Sequence, residues 1–150
     1  MRAVVQVAKR ASVTVDGKVV ARIQRGLLVL LGVAQEDTAE DALWMAEKLA
    51  HLRVLPDEEG RMNRSLLDTG GEALVVSQFT LLGDAQKGRR PSFTRAAAPE
   101  RALALYEEVM NHMGSLGIAV QKGVFGAHME VEVINDGPVT ILLESPQRGE

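Results

Sequence analysis

Few side chains in this chain have the types and spacing that catalysis usually requires. The hydroxyl best placed for chemistry is Thr80. It closes Ser77-Gln78-Phe79-Thr80, which follows the apolar run Ala73-Leu74-Val75-Val76. A threonine hydroxyl is a weak nucleophile unless a base or a terminal amine activates it. His51, His112 and His128 lie on or beside apolar segments, where a structural role is the ordinary one. There is no cysteine, so thiolate nucleophiles, thiolate metal sites and disulfides are excluded together. No HxH, HExxH or paired acidic signature occurs, and neither a catalytic metal nor another cofactor is expected. Asp84 and Asp136 are isolated loop acids that read as turn residues.

A second stretch has unusual backbone rather than reactive side chains. Asn135-Asp136-Gly137-Pro138-Val139-Thr140 lies between strand-like runs at 128–134 and 139–144. Asn and Asp bond their own backbone, Gly tolerates positive φ, and Pro fixes its own φ. Proline also restricts the residue before it, a restriction that glycine largely escapes. The ordinary reading is a tight hairpin. The alternative is that the chain places bare main chain here, and a Gly-Pro bond also permits a cis peptide.

The elements that must position these residues are β-rich. With 46% apolar, 25% charged and 3% aromatic residues, the chain has ordinary composition and a core expected from Val, Leu, Ala and Ile. Its 150 residues suit one domain, 1–150. No signal pattern and no membrane-length apolar run is seen, so a cytoplasmic location is expected. The net charge of -3 argues against a protein that grips nucleic acid by bulk positive potential. Strands are expected at 2–8, 11–15, 18–24, 27–33, 73–81, 118–122, 129–134 and 139–143, with Asp16-Gly17 as a hairpin turn. One helix begins at Thr38, with Leu43, Ala46 and Ala50 on its apolar face. A second begins at Pro99 and stops at Gly117. Segment 61–68 is ambiguous, and 145–150 reads as a frayed tail. The irregular stretch 82–98 is long for a structureless loop, which is often functional. It holds Lys87, Arg89, Arg90 and Arg95, candidates for contact with phosphate. Without βα repeats, the pattern points to α/β or α+β with mixed sheets.

Taken together and in order, SQFT and NDGPVT closely resemble the D-aminoacyl-tRNA deacylases (D-tyrosyl-tRNA deacylases). The likeness extends over Arg10-Ala11-Ser12-Val13-Thr14-Val15, Gly26-Leu27-Leu28-Val29-Leu30-Leu31-Gly32-Val33, Arg90-Pro91-Ser92-Phe93 and Phe125-Gly126-Ala127-His128-Met129. It implies a three-layer β/α/β fold of the α/β class, with mixed sheets and two main helices, assembled as a homodimer. It also implies hydrolysis of the ester joining an amino acid to the 3′-terminal ribose of tRNA. That ester is already activated, and the ribose carries a neighbouring hydroxyl. Held in place and given donors for its developing oxyanion, it needs no triad. Gln78, Phe79 and Thr80 are then the catalytic set. Gly137 and Pro138, as a Gly-cis-Pro pair entering the other subunit, would reject L residues. Ser77, Phe125, Met129 and Asn135 would contact substrate. Phe79 has a competing assignment as a core residue. The resemblance breaks at Lys122-Gly123, where relatives usually carry a small hydroxyl residue before the glycine. A related esterase acting on another acyl-tRNA and a non-catalytic RNA-end-binding dimer are the alternatives.

Overall fold

The computed structural model describes residues 1–147. β1 (Arg2–Val15) is one strand of 14 residues where the sequence suggests two. Asp16 and Gly17 take positive φ, 50° and 77°, and reverse the chain into β2 (Lys18–Ile23). This is the backbone that a two-residue Asp-Gly hairpin demands. β3 (Gly26–Gly32) follows directly.

α1 (Ala39–His51) is capped by Thr38: its hydroxyl accepts from the Glu40 amide, and the Asp41 carboxylate accepts from the Thr38 amide. Ala42, Met45, Ala46, Leu49 and Ala50 form its buried stripe. Leu43, expected on that stripe, is 48% exposed because it sits one residue, about 100° of helical rotation, beyond Ala42. β4 (Leu55–Pro56) and β5 (Met62–Arg64) make a small separate ribbon. The ambiguous segment continues as α2 (Leu66–Thr69), whose own capping box joins Ser65 and Asp68.

β6 (Glu72–Ser77) is shorter than the expected 73–81. The Gln78 amide donates to the Leu31 carbonyl at 2.8 Å, and the chain then tightens into a short 3₁₀ turn, Phe79–Leu82. α3 (Pro99–Ser115) starts on proline and is followed by Gly117 at φ 101°. β7 (Val120–Lys122) and β8 (Glu130–Glu144) complete the fold.

The strands join in the order β2-β1-β3-β6-β7, with β8 also paired to β1. β1 is antiparallel to β2, β3 and β8, whereas β3–β6 and β6–β7 are parallel, so the sheet is mixed. Along β3, Leu27, Val29 and Leu31 face one core, shared with α1 and α3, while Leu28 faces another. In that second core Leu28, Leu74 and Val76 meet Ala11, Val13, Ala21 and Ile23. The ribbon of β1, β2 and β8 therefore bends near Ala8 and folds back over the sheet. The result is three layers: helices, main sheet, and folded-over strands.

The largest departure concerns the Asn135–Thr140 stretch. It is not a hairpin. β8 runs beside β1 from the Thr14–Glu130 pair to the Arg2–Glu144 pair, with a break in register between Ala8–Asn135 and Gln6–Thr140. Residues 136–139 thus oppose Val7 alone and stand out as a wide bulge. The tail expectation also needs correction at its start: Ser145 is 5% exposed, and its amide donates to the Met1 carbonyl at 2.9 Å. Arg148, Gly149 and Glu150 lie outside the described residues.

Close backbone packing fixes the centre of the sheet. A Cβ on Gly26 would lie 1.8 Å from the Glu72 carbonyl oxygen. Gly26→Ala is expected to cost at least about 3 kcal/mol of unfolding free energy, through forced separation of β3 from β6. Gly114→Ala, in the last turn of α3 with nothing within 4 Å of the added carbon, serves as the control. It should leave stability unchanged or raise it by up to about 1 kcal/mol in the same chemical denaturation measurement.

Candidate active site

The site develops where the parallel strands end. Leu31 and Ser77 are partners near the C-terminal ends of β3 and β6. Beyond them opens a cavity of about 400 Å³, lined below by Leu31, Val33 and Ser77 and on one side by Pro99, Ala102 and Tyr106 of α3. Gln78, Phe79, Phe93, Ala96, Ala97, Phe125 and Gly126 complete the wall. Crevices at the carboxyl ends of parallel strands are where open α/β sheets bind ligands, and the volume falls within the usual range of about 300–1,000 Å³. The lining is mostly apolar and aromatic, which suits a planar ring more than a charged group.

The SQFT segment forms the polar rim. Gly32 lets the 3₁₀ turn approach β3, since a Cβ there would lie 2.7 Å from Leu82 Cδ2 and 2.9 Å from the Gln78 carbonyl oxygen. Arg2 holds the turn from the other side by donating Nη1 to the Leu81 carbonyl at 3.0 Å. Gln78 donates its side-chain Nε2 to the Thr80 hydroxyl oxygen. Among the described residues the amides of Phe79 and Thr80 have no hydrogen-bond partner, as expected for the first donors of a helical turn. Ser77, Gln78 and Phe79 line the cavity, and Thr80, with its amide and its oriented hydroxyl, is the next residue along the chain and not itself part of the lining.

Phe79 is not a core residue. It is 58% exposed, and its ring meets Phe93 edge-on with centroids 5.2 Å apart. Phe93, Pro99, Ala102 and Tyr106 are among the lining residues that the sequence does not mark as part of a site. Tyr106 read as helix-face packing, because helical spacing cannot distinguish a residue packed in a core from one packed beside a cavity. Its buried hydroxyl donates to the Val75 carbonyl at 2.7 Å, and its ring lies 6.0 Å from that of Phe125. Burial, reinforced by the Glu107 charge, pushes the phenol well above its ordinary range, so it remains a donor.

Other candidate residues lie elsewhere. Met129 is half-buried against the second core, and a Cβ on Gly123 would reach its sulfur at 2.6 Å. Asn135 donates both amide hydrogens to main-chain carbonyls, those of Val7 and Val139, each at 2.9 Å. Neither residue lines the cavity of its own chain. Gly137-Pro138 is a cis peptide, both residues are exposed, and Gly137 has φ 133°. The bulge faces Val7, five residues along β1 from Arg2, which touches the SQFT turn. That separation is roughly 17 Å at about 3.4 Å per residue, with β1 and β3 also between them. Within one chain the two motifs are not one site.

None of the three histidines lines the cavity; His112 instead pairs with Glu47 at 2.9 Å. Asp84 is a turn residue, its carboxylate accepting from the Gln86 amide at 2.9 Å. Lys87, Arg89 and Arg90 are exposed on the loop leading to Phe93, while Arg95 faces Glu36 at 4.0 Å. Lys122 is exposed at the end of β7. Among the described residues no cluster of metal-ligating side chains occurs, and no helix is long and apolar enough to cross a membrane.

A family described as D-Tyr-tRNA(Tyr) deacylase matches residues 4–144. The chain belongs to the D-aminoacyl-tRNA deacylase family. A D-aminoacyl-tRNA deacylase of Geobacillus sp. (strain WCH70) is 57% identical over 148 residues, covering 99% of this chain and 97% of the relative. That of Roseiflexus castenholzii is 61% identical over 145 residues, covering 97% and 92%. Among solved structures, the c-Myc DNA Unwinding Element Binding Protein superposes with a TM-score of 0.93 at 43% identity, over 98% of this chain and all of that one. As a member of this family the chain is a hydrolase of the ester bond in aminoacyl-tRNA.

The deacylase cavity depends on its single tyrosine for one wall. Tyr106→Phe removes the hydroxyl donor from the Val75 carbonyl, which keeps the Gly123 amide at 3.2 Å. The expected loss is about 1 kcal/mol, read as a fall of roughly 2–4 °C in the midpoint of thermal unfolding.

Proposed function

We propose that this deacylase works as a cytoplasmic homodimer of one-domain chains, cleaving D-aminoacyl-tRNA by holding the ester and letting the substrate assist. The carrying observation is the pair of unpartnered amides at Phe79 and Thr80, beside a hydroxyl oriented by Gln78 and with no histidine at the cavity. The terminal adenine enters the apolar cavity between Phe79, Tyr106 and Phe125, with Ser77 at its floor. The ester carbonyl then lies at the rim, where the two amides stabilise its developing negative charge. Water, or the neighbouring ribose hydroxyl, supplies the nucleophile, and Thr80 positions rather than attacks. Lys87, Arg89 and Arg90 face the phosphates of the acceptor end.

Chirality is judged by exclusion across the dimer. Gly137-Pro138 of one protomer enters the rim of its partner's cavity, where bare main chain meets the substituents of the substrate α-carbon. A D side chain points away and an L side chain collides. Two observations support a second copy. The Gly-Pro bulge is remote from the cavity of its own chain. Leu30, Val4 and Leu142 also form one cross-strand apolar row on the face away from the helices, with Leu142 76% exposed. The same logic leaves the D side chain largely unread and gives glycine nothing to collide with, so the enzyme serves translation quality control with broad tolerance among D residues.

Two measurements test this reading. Thr80→Ala should keep kcat within about a hundredfold of wild type, because loss of a true nucleophile costs far more, up to about a millionfold. A trapped acyl-enzyme on Thr80 would refute positioning. Labelled D-tyrosyl-, L-tyrosyl- and glycyl-tRNA should be cleaved, spared and cleaved respectively. Glycyl-tRNA that survives conditions clearing the D substrate would contradict exclusion.

A further inference from the structure

The bulge that presents Gly137 and Pro138 is fastened by side chains at its neck. Gln6, in the centre of β1, donates Nε2 to the Thr140 hydroxyl at 3.2 Å. That hydroxyl donates to the Asn135 side-chain oxygen at 3.5 Å. Asn135 in turn donates to the Val139 carbonyl on the far side of the bulge and to the Val7 carbonyl beneath it, both at 2.9 Å. The relay thus starts on a strand held on both edges, since Gln6 is the register partner of Leu28 on β3 and of Thr140 on β8. It ends on the Val139 carbonyl just after the protruding residues and on the Val7 carbonyl of β1 opposite them. Asp136, Gly137 and Pro138 are themselves exposed.

We propose that Gln6, Thr140 and Asn135 are positioning residues that set the D/L discrimination, an inference that rests on the reading of Gly137-Pro138 above. A filter that works by collision is only as selective as it is immobile. Main chain that recedes by a fraction of an ångström admits the side chain it should reject, and positional tolerances in such sites are about 0.5 Å. The relay supplies that immobility to a segment that lacks its own packing. Each member is oriented by the next: Asn135 uses both amide hydrogens and its oxygen, and the Thr140 hydroxyl accepts from Gln6 while donating onward. Gln6 and Thr140 do not line the cavity of their own chain, so their substitution should leave the chemistry at Thr80 intact.

The test compares kcat/KM on D- and L-tyrosyl-tRNA for Thr140→Val, Thr140→Ser and Gln6→Leu. Thr140→Val keeps the branched shape and removes the hydroxyl. It should raise L cleavage relative to D by about three- to tenfold, the range covered by one lost hydrogen bond. Gln6→Leu should move the ratio in the same direction, and Thr140→Ser should restore it. Thermal unfolding and D-substrate turnover monitor folding; if Thr140→Val does not fold, Gln6→Leu and Thr140→Ser decide the matter. Gly137→Ala is run alongside, because it adds a carbon to the main chain of the bulge. A changed ratio for Gly137→Ala with an unchanged ratio for the relay variants overturns the clasp alone. An unchanged ratio for Gly137→Ala overturns the reading of the bulge, and the clasp with it.

Discussion

Burial of β3 on both faces is the constraint from which the remaining architecture follows. A strand whose alternate residues are all apolar needs a cover on each side. α1 and α3 cover Leu27, Val29 and Leu31, and the folded-back ribbon covers Leu28. The chain achieves the second cover without new elements, by bending β1 near Ala8 and carrying β2 and β8 with it. Glycine at both ends of β3 makes the arrangement close enough to work, since Gly26 admits Glu72 and Gly32 admits the 3₁₀ turn. The same strand therefore holds the core together and positions the SQFT turn.

That arrangement accounts for how the proposed active site could work with so little conventional chemistry. Two N–H groups at the start of a short turn are fixed dipoles that need no proton transfer and no pH tuning. The aromatic wall of Phe79, Phe93, Tyr106 and Phe125 keeps the mouth poor in competing polar groups. On the proposed reading, a selectivity bulge beside the middle of β1 is separate from the SQFT turn of its own chain, so each can be altered with the other left in place.

Much of this was legible in the residues. Asp16-Gly17, Thr38, Pro99 and Gly117 each mark a boundary by a local rule, and each does so where the rule places it. SQFT and NDGPVT named the family. What failed depended on partners distant in sequence. Turn chemistry at Asn135–Thr140 cannot tell a chain that reverses from one that bulges and continues along the same neighbour; only the pairing with β1 decides. Segment 73–81 reads as one strand in the sequence, yet the turn begins where the ladder to β3 ends. Phe79 carries no local mark of exposure, and Leu43 sits one residue off the buried stripe. Phe93 and Tyr106 gave no sign of a cavity, because a void between helix and sheet is a property of the assembled layers.

The bulge in β8 has a further meaning for how this scaffold can vary. Asn135 and Thr140 both stay paired to β1, so the ladders on either side keep their own inward and outward faces whatever stands between them. A change of length at 136–138 is absorbed locally instead of flipping a whole strand. Evolution can thus exchange the protruding tip like a bit in a drill chuck, without retooling the body that grips it.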